Sequence, residues 1–351
     1  MIKKVPGIYP NEVVYSWIAR SYSQSGFLFN KYYLKEIFMN PKEQVDYNFI
    51  NIFNSSFKRI IKETIGFKSL LLDHTLFKHY ARFMSPEERK EVYKIGIHNS
   101  GLLNKKVHIP PSKKNYFLRY CPCCVKEDRE KYGECYFHTE HQIYEINICP
   151  IHKVKLNETT IKNDKDSALS LITLEQLNPI ISEIVKVPDD INYKVMNYIY
   201  MVFKEDLDIE NDTLISDYLT SKLNRAQCVD NNCTKKNIIK LSRDISLFYK
   251  DLVIKNIKQH RICDVYRGQN INPYDILLLC YFHNLTPKEI SKMELKKEDI
   301  KRPIMRRVYD LYKAGKDIDE ISNEVGRKKT QVNRIILGYL KIKKCKINWR
   351  T

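Results

Sequence analysis

Apolar positions recur along this chain mostly at three- and four-residue intervals, the period of an amphipathic helix. Between residues 11 and 38 they put Val14, Trp17, Ile18 and Tyr22 on one face, with Tyr33, Leu34 and Ile37 following after Gly26. That pattern predicts two short helices, with Pro10 and Asn11 as the start signal. More helix is expected through about residue 100, where Ile60, Ile61, Ile65, Leu70 and Leu71 are spaced to bury one side. The period breaks between 115 and 156, where NYFLRYCPCC, YGECYFHTEHQIYEINICPIH and KVKL read as short β-prone or knuckle segments. From 157 the chain turns polar (NETTIKNDKD), and a second acidic stretch, KEDLDIENDTLISD at 204–217, reads with it as solvated linker and helix face. No internal repeat and no low-complexity segment stands out.

Helical periodicity returns at the C-terminal end. PIMRRVYDLYKA at 303–314 places Val308, Leu311 and Tyr312 on one face and stops at Gly315. Asp317 then caps IDEISNEV, whose Ile318, Ile321 and Val325 face inward, Gly326 makes a tight turn, and Lys329 to Leu337 begins a third helix. The spacing is that of a helix-turn-helix. Its third helix would present Thr330, Gln331, Asn333 and Arg334 outward while Val332, Ile335 and Ile336 anchor it. Gln and Asn pair with adenine edges and Arg with guanine, whereas Arg327, Lys328, Lys329, Lys341, Lys343, Lys344 and Lys346 are suited to phosphates. An earlier stretch repeats the theme: Pro273–His283 as a helix, Asn284 and Leu285 as the turn, and Thr286 capping PKEISKM, so the tail is expected to hold tandem units.

Charge agrees with a polyanionic partner. The 351 residues carry 60 Lys and Arg against 42 Asp and Glu, a formal net charge of +18. Residues 301–351 alone hold 15 basic and 5 acidic side chains, or +10 of that excess. The opening MIKKVPGIYPNEVVYSW lacks the apolar core of a signal peptide, and no run reaches the length of a membrane span. A cytoplasmic protein with reduced thiols is therefore expected, bound to double-stranded DNA and to no membrane.

In that setting the ten cysteines suggest metal rather than disulfides. Cys121-Pro-Cys-Cys124 and Cys149-Pro-Ile-His152 form a Cys-x-x-Cys and a Cys-x-x-His pair, each able to clamp one edge of a tetrahedral Zn²⁺. Cys123 rivals Cys124, although the usual spacing favours the outer pair. Four protein ligands leave no open position for a catalytic water, so the site reads as structural. Cys135, His138 and His141 lie between the pairs and lack a complementary pair, so core or surface roles are expected for them. A weaker second site combines Cys228 and Cys233 with His260 and Cys263, while Cys280 and His283 are expected to face a helical core. Phosphate-loop, serine-elbow and His-Glu-x-x-His signatures are absent, and nothing singles out a carboxylate triad of the nuclease type. The chain is thus expected not to be an enzyme.

These readings give a fold class that is mainly α with a small zinc-ribbon module (α+β), multidomain, with a C-terminal helix-turn-helix. The expected domains are a helical 1–114, a zinc module 115–156, a helical middle 157–265 with a possible second ribbon at 228–263, and a basic DNA-binding 266–351.

Taken in order, YPNEVVYSWIARSYSQSG at 9–26, HTLFKHYARF at 74–83, RYCPCC at 119–124 and YGECYFHTEHQIYEINICPIH at 132–152 resemble the TniQ/TnsD family over roughly the first 155 residues. The resemblance implies Cys121, Cys124, Cys149 and His152 as the zinc ligands, with Cys123 at the variable position between the first two and His141 where the family usually has an aromatic. It also implies a role: choosing where a cut-and-paste transposon inserts, by recognising a target and recruiting an AAA+ ATPase of the TnsC type that licenses the transposase. Family members either bind a specific attachment site or dock on an RNA-guided CRISPR effector complex, and the basic tail favours the first. A stand-alone transcription regulator using the same tail, and a nuclease or recombinase with an unrecognised carboxylate site, are the rivals from other classes.

Overall fold

The structure, a computed structural model, describes residues 2, 4–40, 45–107, 117–162, 171–222, 235–252, 257–266, 268, 272–295 and 304–337. It is mostly helical with one small two-stranded sheet. Two compact units share the chain: Met1–Leu214, Leu247–Ile257 and Ile271–Met293 form one, and Ile215–Ser246, Lys258–Asn270 and Glu294–Thr351 the other. Among the described residues no helix is long and apolar enough to cross a membrane.

The first unit is built around α1 (Val14–Ser23), buried from Val14 through Ser21. A helix hidden on all sides needs cover from more than one layer. The helices α2 (Asn30–Ile37), α3 (Ser55–Thr64), α4 (Phe67–Asp73), α5 (Phe77–Ala81), α6 (Pro86–His98) and α7 (Leu103–Lys106) supply one part of it. Trp17 meets Phe57 of α3, and the Val14 N–H donates to His74 at the end of α4. The other part comes from beyond residue 130: Val13 N–H donates to the Phe137 carbonyl at 2.9 Å, Thr139 N–H to that of Asn11 at 2.7 Å, and Glu12 forms a β-bridge with His138. Boundaries drawn by composition at 114 and 156 therefore fall inside this unit. Between α4 and α6, Gly96 lies so close to Leu71 that a Cβ there would sit 2.6 Å from its Cδ2, which explains a glycine in mid-helix.

β1 (Phe117–Tyr120) pairs antiparallel with β2 (Asn157–Lys162), Arg119 opposite Glu158. Here two expectations need correction. The segment after β1 is not a β knuckle but α8 (Pro122–Tyr132), with Cys121 as its N-cap residue, Pro122 in its first turn and Gly133 closing it at φ 79°. Proline pre-set for a first turn and glycine free to turn left-handed bound a helix whose interior is charged and unbroken. NETTIK, read as polar linker, is the second strand, because its backbone finds the edge of β1. The acidic stretch after 204 keeps its acidic side chains largely in solvent, as expected, but its backbone is held: buried Arg82 donates to the carbonyls of Glu205 and Asp206, and Arg89 to those of Ile209 and Asn211. Partners more than a hundred residues away cannot be seen in local composition.

The first unit is completed by α9 (Ile191–Lys204), capped by Asp190, which packs with α13 (Pro273–Phe282) and α14 (Pro287–Lys292). α13 is buried from Pro273 through Cys280, and Tyr249 and Tyr198 donate to the carbonyls of Leu278 and Leu285 at 2.7 Å each. The first helix of the stretch expected to repeat the helix-turn-helix theme is thus core of the first unit, buried over most of its length and without a free face, while α14 keeps Lys288 and Lys292 exposed. Cys280 is buried as expected and His283 half-buried.

The second unit holds α10 (Ile215–Lys222), most of α11 (Lys235–Phe248), α12 (Gln259–Tyr266), α15 (Ile304–Lys313), α16 (Ile318–Val325) and a final helix, α17, at 329–337. α10 packs with α12. α15 to α17 close their own core of Val308, Ile321, Val325, Val332 and Ile336, with Leu311, Ile318 and Ile335 packed against it.

Candidate functional site

Three cysteines and one histidine meet in the first unit. Cys121 follows β1 as the N-cap residue of α8, Cys124 lies in the first turn of that helix, and Cys149 and His152 flank a tight turn in which Cys149 N–H donates to Val154 at 2.7 Å and Lys153 N–H to Cys149 at 2.9 Å. Their ligand atoms all lie within 4.8 Å of one another, the cysteines buried and the histidine half-buried. His152 Nδ1 is 3.6, 3.4 and 3.6 Å from the sulfurs of Cys121, Cys124 and Cys149, and Cys124 Sγ is 3.9 Å from Cys149 Sγ. An ion with bonds of about 2.3 Å to sulfur and about 2.0 Å to nitrogen at tetrahedral angles would set these edges near 3.5 and 3.8 Å. The four residues can hold a metal ion. Cys123 is half-exposed and outside the cluster.

The helix N-terminus favours thiolates at this point, against the mutual repulsion of the sulfurs. Cys121 and Cys124 sit at the N-terminus of α8, where the unpaired N–H groups concentrate positive potential. The hydrogen bonds with Cys121 and Cys149, reinforced by burial, push the Cys124 thiol up, while bonds from Cys121 and Cys124 pull Cys149 down. Three sulfurs so close cannot all ionise on their own, and a divalent cation is what lets them.

The intervening residues, for which the sequence left core and surface both open, are core. Cys135 is buried and donates to Glu175 Oε2 at 3.0 Å, and Arg129 beside that carboxylate holds it down at about 2. His141 is fully buried, its Nε2 3.9 Å from Cys124 Sγ. His138 stacks on Tyr136 and reaches Asp128 at 2.9 Å and Glu140 at 3.8 Å. Burial works against its charge, but those two carboxylates win and push it up to about 10. A histidine raised in the fold contributes stability in full below its unfolded value of about 6.5 and loses it as pH climbs through about 10. The melting deficit of His138→Asn should therefore be full at and below about pH 6.5 and nearly gone by about pH 9.5. A deficit that does not change with pH would mean that His138 is neutral.

Several of these charged groups were not visible in the apolar pattern: Glu12, Arg20, Arg119, Asp128 and Glu140 are all buried. Arg119 donates to the carbonyls of Ile143, Tyr144 and Ile146, tying the loop before Cys149 to β1. Glu127, on α8 one turn beyond Cys124, accepts from His152 Nε2 at 2.9 Å. A helical reading of 122–132 would have shown Cys124 and Glu127 on one face.

In the second unit Asp317 caps α16 through a capping box with Glu320, and Gly326 follows at φ 63°. Residues 329–337 then present Lys329, Thr330, Gln331, Asn333 and Arg334 to solvent, with Val332 and Ile336 buried. Lys328 is exposed, Arg327 half-buried, and Lys329 pairs with Asp319 at 2.7 Å. Tyr312, expected on the inner face of α15, is 39% exposed, since Val308 and Leu311 already fill that side. Lys341, Lys343, Lys344 and Lys346 lie outside the described residues, as do Cys228 and Cys233. His260 is exposed and Cys263 half-buried on α12.

Residues 4–156 match the TniQ family model. The transposition protein TnsD of transposon Tn7 from Escherichia coli is 28% identical over 156 residues, which cover 43% of this chain and 30% of that protein. The matched span thus represents under a third of the relative's length.

Proposed function

Because residues 4–156 are a TniQ domain, which makes the chain a member of the TniQ/TnsD family, we propose that it selects the target site of a transposon. In this reading the TniQ domain recruits an AAA+ ATPase of the TnsC type, which licenses the transposase, while the C-terminal helices read a duplex attachment site. The observation that carries it is the match itself, since it covers the same stretch that folds around α1 and contains the four metal ligands. A Zn²⁺ ion suits three thiolates and an imidazole at the observed edges. When bound it crosslinks β1, α8 and the turn at Cys149, and with four protein ligands it leaves no position for substrate, so no catalysis is assigned to the chain. A second zinc site at Cys228, Cys233, His260 and Cys263 remains a proposal on spacing alone.

Support for direct DNA reading comes from the tail's basic charge and from Thr330, Gln331, Asn333 and Arg334, exposed on a helix anchored by its apolar side. Laid in a major groove, a helix-turn-helix of this kind reads bases with those side chains and grips phosphates with Arg327, Lys328, Lys329, Lys341, Lys343 and Lys344. Gln331→Ala and Arg334→Ala should each cost about 1–3 kcal/mol on the cognate duplex and relax its specificity. Lys343→Ala should weaken all duplexes alike and shallow the salt dependence. Unchanged cognate affinity in the first pair would remove the recognition role from this helix.

The decisive test selects bound duplexes from a genomic pool with the purified protein, with and without the ATPase. One enriched attachment sequence that also retains the ATPase is the expected result. Enrichment without ATPase retention would point to a transcription regulator, and binding only through an RNA-guided complex to an adaptor. Metal-dependent nicking of the pool would point to a nuclease.

A further inference from the structure

The metal ligands account for only one nitrogen of His152. Its Nδ1 faces the three sulfurs at 3.4–3.6 Å, and its Nε2 is held by Glu127 Oε1 at 2.9 Å. A neutral imidazole carries one proton, and the partner of one nitrogen decides which tautomer the other presents. A carboxylate accepts only, so the proton belongs on Nε2 and the Nδ1 lone pair is left for the ion.

We propose that Glu127 is the positioning residue of the metal centre, fixing the tautomer and ring orientation in which His152 serves as the fourth ligand. The assignment rests on the metal reading of the cluster. Three features of the fold carry it. Cys124 and Glu127 are one turn apart on α8, so the helix that supplies a sulfur also supplies the acceptor. Glu127 is 67% exposed and His152 only 17%, so the carboxylate reaches the imidazole from the solvent side while the sulfurs take the buried side. The tight turn from Cys149 to Lys153 sets the backbone of His152, and the bond to Glu127 adds a hold on its ring from the other nitrogen. On the opposite, buried side, His141 Nε2 approaches Cys124 Sγ at 3.9 Å and stands beyond the four-ligand set. An outer carboxylate of this kind strengthens its ligand by orienting it and by raising its basicity, and losing one weakens metal binding about 10–100-fold.

The test uses the full-length, metal-loaded protein. Metal content of the wild type is measured first. Affinity is then read by competition with a chromophoric chelator for wild type, Glu127→Ala, Glu127→Gln and, as a control of equal charge change on the same helix, Glu130→Ala. The ring nitrogens of His152 are followed by ¹⁵N NMR in each. Expected are a 10–100-fold loss in Glu127→Ala, partial recovery in Glu127→Gln because its amide oxygen still accepts, and no change in Glu130→Ala. The Nε2 resonance should move most in Glu127→Ala, less in Glu127→Gln and not at all in Glu130→Ala. Absence of stoichiometric metal in the wild type would overturn the metal reading and this assignment with it. Metal present but held within twofold of wild type by Glu127→Ala, with the His152 nitrogens unmoved, would overturn the assignment only. An equal loss in Glu130→Ala would also overturn it, reducing the effect to surface charge.

Discussion

Cys149→Ser, or removal of the ion by a strong chelator, is expected to melt the segment from β1 to β2 and to loosen α1 along with it. This segment has little regular structure to hold it together: two short strands, one helix and a long loop with a single helical turn at Glu140–Gln142. A structural zinc contributes on the order of 10 kcal/mol to the folding of small modules of this ligand type, more than such a segment can replace from its own core. The effect should reach α1 because the loop between the two ligand pairs is also its cover. That loop supplies the Phe137 carbonyl to Val13 and the Thr139 N–H to Asn11, and it bridges Glu12 through His138. Hydrogen exchange checks this directly. Amides of Val13 and Thr139 should lose protection when the metal is removed, together with Cys149 and Lys153, and the melting transition should fall. Full protection at Val13 in a chelated, metal-free sample would show that the helical part stands without the metal segment.

Arg20→Met is expected to destabilise the first unit by about 3–5 kcal/mol, the range for stripping one partner from a buried ion pair. Arg20 and Glu12 are among the most buried charged side chains, at 2% and 0% exposure. They are joined by two parallel bonds, Nε to Oε1 at 2.8 Å and Nη2 to Oε2 at 2.9 Å. Arg20 also donates to Glu134 and to the Gly7 carbonyl and lies 3.8 Å over the ring of Tyr9. Without it Glu12 keeps only Ser16 and the Tyr9 N–H, and burial, which already raises its carboxyl, becomes dominant. An acid raised in the fold loses stability as pH rises through its folded value, so the deficit of Arg20→Met should shrink on acidification, because the buried Glu12 takes its proton above the usual carboxylate range. Glu12→Gln combined with Arg20→Met should recover part of the loss, because the stranded charge is gone. Chemical denaturation at pH 7 and pH 5 measures both effects. A loss under about 1 kcal/mol at neutral pH would mean that water reaches the pair.

Both predictions fall inside YPNEVVYSWIAR and YGECYFHTEHQIYEINICPIH, two of the segments on which the family resemblance was drawn. The apolar pattern explained Trp17 and Ile18 in the first of them but was silent on Glu12 and Arg20. Periodicity records which face is apolar, and α1 has no solvent face. Arg20 is inside because it pairs with Glu12 just before the helix and meets Glu134, brought by another part of the chain. The metal ligands were easier to read, since two close-spaced pairs announce themselves by chemistry without any knowledge of the path between them. What spacing did not convey was that the first pair rides on a helix N-terminus, and with it the place of Glu127.

From the sequence alone came the quantities that depend on neighbours along the chain. These are the helices of the first hundred residues, the capped α16 with its glycine turn, the inward Val308, Ile321 and Val332, and the paired Cys and His ligands. Each follows from a periodicity or a cap that acts over a few residues. Only the tertiary structure decided which helices lack a solvent face, so that α13 became core and α17 kept exposed Gln331 and Arg334. It also decided that NETTIK is a strand, that the acidic stretch after Lys204 is pinned by Arg82 and Arg89, and that Glu127 holds His152. The reason is common to all of these. A buried charge, an edge hydrogen bond or a fully covered helix is stable only through a partner distant in sequence, and such partners meet only once the chain has folded.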